Sequence, residues 1–124
     1  MAVTYTTAVK NARLDAVTTA IGTTGVLEIG TTGMASVLAT INLGNPAAAS
    51  ASGGVLTFSG FPRSDTSADN TGTAAAARIR TASGGTDIIT GLTVGTSGSD
   101  INLDSTSITA GQTVTINSAT ITHA

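Results

Sequence analysis

Cysteine and tryptophan are absent from this chain, histidine occurs once and proline twice. Without cysteine there is no disulfide framework, no thiolate zinc site and no thiol nucleophile. The aromatics are Tyr5, Phe58 and Phe61 alone. Charged residues make up 10 % of the chain, well below the roughly 25 % of an ordinary soluble domain. The net charge of −2 and a pI near 4.9 argue against a nucleic-acid binder steered by a basic surface. No stretch approaches the ~18 apolar residues of a membrane-spanning helix. Met1 to Lys10 shows no basic segment followed by an apolar run, so no secretory leader is read, and synthesis in a cytoplasm is expected.

What fills the 124 positions instead is alanine, glycine, serine and threonine, which together take more than half of them. The 40 % hydrophobic content is inflated by alanine. The larger apolar side chains are mostly Ile, Val and Leu, so the core is thin for the length. Disordered chains combine low hydrophobicity with high net charge, and neither holds here. A thin-cored, charge-poor chain that still folds is expected to complete its burial against neighbours, which points to an assembly subunit.

The patterning gives one helix and then strands. Residues 6–21 carry Val9, Leu14, Val17, Ala20 and Ile21 on one broad face at helical spacing. A threonine at 4, 6 or 7 serves as N-cap, and Gly22 stops the helix. Two short repeats, Gly22-Thr23-Thr24-Gly25 and Gly30-Thr31-Thr32-Gly33, read as turns around a strand at Val26 to Ile29. Val37 to Leu43 and Val55 to Ser59 follow as strands, with a flexible Ala/Ser connection between them. Pro62 to Gly72 is polar and without period, hence an exposed loop. Ala74 to Ala77 favour helix by propensity. The alternation at Arg78-Ile79-Arg80 and the turn Gly84-Gly85 instead predict a strand entering a hairpin with Asp87 to Thr90. Short strands follow around Leu92 and Val94, Ile101 and Leu103, and Ile108. In Thr113 to Thr122, Val114 and Ile116 share one phase, Ala119 and Ile121 the other, so a bulge at Asn117-Ser118 is predicted. The expectation is one mainly β domain over 1–124, a β-sandwich or small barrel of about seven short strands in a body spanning 25–123, with one N-terminal α-helix.

Few residues offer chemistry. Asp100, Asn102 and Asp104 have the D-x-N-x-D spacing that opens a calcium loop, but Ser105 stands at the glycine position and Gly111 at that of the bidentate glutamate. The wet face of a strand explains the same residues. Asp65 and Asp69, in the polar loop with Arg63 and Ser64, read as a solvated loop, a weak cation site or an ion-pair contact. His123 has no Gly-x-Ser-x-Gly elbow to serve, and no glycine-rich phosphate loop is present, so no catalytic residue and no cofactor is assigned. Arg78 and Arg80 sit two apart on one face of a strand. Arg63, Arg78 and Arg80 are the candidates for contacts with an acidic neighbour, because the guanidinium fork pairs carboxylates; plain solvent exposure is the other reading of Arg78 and Arg80.

Several segments carry a resemblance. Tyr5-Thr6-Thr7-Ala8-Val9-Lys10-Asn11-Ala12-Arg13-Leu14 with Leu27-Glu28-Ile29-Gly30, then Ala77-Arg78-Ile79, Gly91-Leu92-Thr93-Val94-Gly95-Thr96 and Gly111-Gln112-Thr113-Val114-Thr115-Ile116, resemble small structural proteins of tailed bacteriophages. The similarity spans most of the chain and consists of strand and turn patterns. It implies a β-rich, non-enzymatic virion subunit, foremost a capsid decoration (cement) protein on the head exterior. Its implied partners are the major capsid protein and copies of itself, with a trimer favoured. A tail, baseplate or fibre protein with a host-attachment role is the alternative, and a small hydrolase the weakest reading. The resemblance carries over no site residue.

Overall fold

The computed structural model describes residues 4–123. The chain begins with α1 (Thr7–Ile21), followed by β1 (Val26–Gly30), a 3₁₀ turn (Thr32–Met34), β2 (Val37–Asn42), β3 (Val55–Thr57), β4 (Arg63–Asp65) and β5 (Gly72–Thr73). After these come β6 (Ala76–Arg80), β7 (Asp87–Leu92), β8 (Val94–Gly95), β9 (Ile101–Leu103), β10 (Ser107–Ile108) and β11 (Val114–Thr122). The fold is mainly β with one N-terminal helix, as the patterning predicts.

The helix is bounded by chemistry visible in the sequence. Thr6 Oγ1 accepts from the Val9 amide at 3.4 Å, and Gly22 takes φ +76°, where a side chain would be strained. Its packing face is narrower than expected. Leu14 and Ile21 are buried and Val17 is partly so, while Val9 is 42 % exposed and Ala20 faces out. The helix packs on β3 and β7, with Asn11 Oδ1 accepting from the Gly54 amide just before β3 at 2.9 Å, while Val9 faces away from that contact.

One sheet has the order β2-β1-β6-β7, all antiparallel. A second runs β3-β11-β9-β8 with β4 also paired to β11, and a two-stranded ribbon joins β5 to β10. Leu27, Ile29, Ile41 and Ile79 of the first sheet and Leu56, Ile101, Leu103, Val114 and Ile116 of the second belong to one buried cluster. The thin inventory is therefore concentrated in a single core. The strand β11 shifts register between Ile116 and Ser118. That bulge changes the phase, so Val114 and Ile116 before it and Ala119 after it are all buried.

Two expectations change. The described residues form eleven strands rather than about seven. The additional ones are pieces of two or three residues, and β4 and the first residue of β5 fall in the stretch read as an exposed loop. Their residues carry no apolar alternation because they pair along sheet margins. The Ala/Ser connection is also fixed in place. Ala47 and Ala48 are buried, the Ala47 carbonyl accepts from the Ser59 amide at 3.0 Å, and Ala48 bridges Phe58. Small side chains let that backbone lie directly on the core.

Candidate functional site

The outer face of the first sheet holds an acid at its centre. Every residue of β1 is buried, so Glu28, 5 % exposed, lies in a strand covered on both faces. Its register neighbours are Thr40 on β2 and Arg78 on β6, and Arg80 lies two residues further along β6. Arg78 Nε donates to Glu28 Oε1 at 2.7 Å, and Arg80 Nη1 lies 3.7 Å from the same oxygen. Arg80 Nη2 donates to the Gly85 carbonyl at 2.7 Å. Its Nε is 2.9 Å from Asp87 Oδ1, near enough for attraction but not aligned as a hydrogen bond. The arginine stems cover Val26 and Glu28 while their heads keep partial access to water. The acidic partner sought for Arg78 and Arg80 in a neighbour is supplied by the chain's own Glu28.

Arg63 is likewise engaged within the chain. Nε donates to the Ser59 carbonyl at 3.2 Å and Nη1 to the Asn42 carbonyl at 3.3 Å, with the guanidinium 5.7 Å from the Phe61 ring centroid. Gly60 makes room for it, because a Cβ there would lie 2.5 Å from Nη2.

The acidic loop closes a sheet edge. β2 is the outer strand of its sheet, and an open edge invites pairing with another chain. Asp65 Oδ2 accepts from the Thr40 amide at 3.0 Å, the Asp69 amide donates to the Leu38 carbonyl at 2.7 Å, and Asn70 Nδ2 donates to the Val37 carbonyl at 2.8 Å. Asp65 Oδ1 also accepts from the Ser67 amide at 3.0 Å. Asp65→Asn would place an amide donor where both oxygens now accept. It is expected to lower the unfolding free energy by about 1 kcal/mol and to raise light scattering on heating as the β2 edge opens. Urea titration and a heated scattering trace check both effects.

The D-x-N-x-D residues divide. Asp100 Oδ2 accepts from the Thr93 amide at 3.0 Å, and Thr93 Oγ1 accepts from the Asp100 amide at 2.9 Å. Asn102 Oδ1 accepts from the Ser99 amide, and its Nδ2 donates to the Ser99 carbonyl and to Ser118 Oγ. Asp104 is exposed at the end of β9. Asp100 and Asn102 thus tie the β8–β9 turn, and among the described residues no group of three or more His, Cys, Asp or Glu is placed to hold a metal ion.

His123 packs edge-on against Tyr5, with ring centroids 5.9 Å apart, and Arg13 lies over the other part of the same ring at 4.6 Å from its centroid. Open grooves lie beside two acids. One, about 490 Å³, has Asp15 as its ionisable wall residue, and Asp15 Oδ1 accepts from the Ala51 amide at 2.7 Å. The other, about 370 Å³, runs between Arg63 and Asp65, both already bonded to backbone. Of the charged side chains that sequence reading singled out, Arg63, Arg78, Arg80, Asp65 and Asp100 hold strands and loops together, while Asp104 faces solvent. Sequence reading missed Glu28 and the Tyr5–Arg13–His123 group. A lone acid inside Val26-Leu27-Glu28-Ile29 was the available signal for the first; the second joins residues more than a hundred positions apart. No helix among the described residues is long and apolar enough to cross a membrane. Comparison with protein-family models, with curated proteins and with solved structures gave no match.

Proposed function

We propose that this chain is a non-enzymatic structural subunit of a tailed-bacteriophage particle, and specifically a decoration protein that braces the exterior of the head. The observation that carries the reading is where the charge goes. Glu28, Arg63, Asp65, Arg78, Arg80, Asp87 and Asp100 all make contacts inside the fold, which leaves a β body with few uncommitted charges on a surface otherwise rich in hydroxyls and alanine. Such a body acts by adding buried area at many repeated contacts with the major capsid protein and with its own copies, and requires no cofactor. The resemblance of its strand and turn segments to phage structural proteins supports the same reading. Its place is the particle exterior, reached after synthesis in the host cytoplasm.

Quantitative mass spectrometry of purified particles tests it. The copy number is expected to be comparable with that of the major shell protein, and particles lacking the chain are expected to lose their contents at lower temperature and lower ionic strength. A few copies per particle would move the protein to the tail or a vertex, and its absence from particles would end the virion reading.

A further inference from the structure

The described residues place exposed apolar surface in one location. The exposed large hydrophobic side chains are Tyr5, at 43 %, just before the N-cap of α1, and Val9, at 42 %, in its first turn. Lys10 and Arg13 stand beside them. Among the described residues the ion pairs are Glu28 with Arg78 and Arg80, and Asp87 with Arg80. Lys10 and Arg13 therefore have no carboxylate partner there. Tyrosine and arginine are among the residues enriched at the energetic centres of protein interfaces, and here the Arg13 guanidinium lies 4.6 Å from the Tyr5 ring centroid. Because this patch is cationic, two copies cannot bring it face to face without opposing like charges.

The complement lies at the other end of β11. Through His123 the C-terminal end of β11 abuts Tyr5. At its N-terminal end Val114 is paired with Asp65, and the Asp104 amide donates to the Thr115 carbonyl at 3.3 Å. The Ala68 amide donates to the Gln112 carbonyl, which brings Asp69 to the same end. The nine residues of β11 separate the two ends by about 26 Å at ~3.3 Å per step. Asp69 and Asp104 are exposed; Asp69 Oδ2 takes one long bond, from the Thr40 hydroxyl at 3.5 Å, and no backbone amide. The acids nearer the cationic end, Asp15 and Asp100, each accept from a backbone amide instead.

We propose that copies of this chain associate head to tail, the Tyr5–Val9–Arg13 patch of one seated on the Asp69–Asp104 end of the next. This deepens the virion reading by naming the surface between copies, and it is measured without any particle, so the two fail separately. Head to tail, each copy at the end of a row leaves one surface of each kind free, so the contact repeats into a closed ring or a string according to its rotation, whereas a reciprocal two-fold pairing of the same surfaces would close as a dimer.

Sedimentation velocity of the full chain across concentration and salt tests it. The expected result is reversible growth beyond a dimer that weakens as sodium chloride rises. Tyr5→Ser and Arg13→Glu are each expected to weaken association about thirtyfold, the loss typical of a central interface residue. Asp104→Lys alone is expected to weaken it too, while mixing Arg13→Glu with Asp104→Lys restores a mixed assembly. These side chains are exposed, and an unchanged circular dichroism spectrum and melting temperature verify that each variant is folded. A monomer at every concentration, a species that ends at a dimer, or indifference to Arg13→Glu would overturn the proposal. So would a monomeric chain whose binding to purified shells is lost with Tyr5→Ser, since the shell would then be the occupant.

Discussion

Glu28→Gln is expected to lower the unfolding free energy by about 2–3 kcal/mol, seen as a lower urea midpoint with an unchanged slope. Removing one partner of a fully buried ion pair costs about 3–5 kcal/mol, because the remaining charge stays desolvated and unmatched. Here the carboxylate is buried, but the Arg78 and Arg80 side chains keep 22 % and 21 % of their exposure, so water recovers part of the loss. Glutamine preserves the shape and one acceptor while deleting the charge that both guanidinium groups share. Replacing Arg78 with glutamine as well removes one of the stranded cations. The double variant is therefore expected to be more stable than the sum of the single losses allows, with a positive coupling in the double-mutant cycle. Sodium chloride is expected to change the wild-type midpoint little through this group, since ions reach a carboxylate of 5 % exposure poorly.

That cluster also marks where sequence reading stops. The stretch Val26 to Ile29 is legible as a strand from its apolar residues, and Arg78 and Arg80 are legible as neighbours on one face from their spacing. Their meeting depends on β6 pairing with β1 across fifty positions at the register Glu28–Arg78. Nothing local specifies that register, so the partner was sought outside the chain. The helix and its caps were legible because Thr6 and Gly22 act within one turn of their own positions. The bulge in β11 was legible for a related reason, since one extra residue moves the apolar set to the opposite parity, and that change is written in Val114, Ile116, Ala119 and Ile121. The short strands β4 and β5 left no such trace. Arg63 and Asp65 bond the backbone of other segments and Ser64 bonds the Thr115 hydroxyl on β11, so their polarity reads as solvent exposure. Val9 errs in the opposite direction: helical spacing assigns it to the apolar stripe, but the face of α1 that meets β3 and β7 leaves it 42 % exposed.

Ile116→Ala is expected to be more damaging still, at about 2–5 kcal/mol, the range for truncating a buried isoleucine or leucine to alanine. Ile116 is fully buried and sits where β11 pairs with Arg63 of β4 on one side and Leu103 of β9 on the other. Neighbours held on both sides by backbone hydrogen bonds cannot collapse into the space left behind, which favours the upper part of that range. The size matters because a domain of this kind has about 5–15 kcal/mol of stability in all. In a core built from few large side chains, each one carries a larger share. The melting temperature is expected to fall by about 10 °C or more, read by circular dichroism. Ile121→Ala supplies the internal control. It lies beyond the bulge and is only partly buried, so its truncation deletes the same atoms from a site that water and neighbouring side chains already reach. The loss there is expected to be less than half that at Ile116. Equal losses at the two positions would mean that the second half of β11 is packed as tightly as the first.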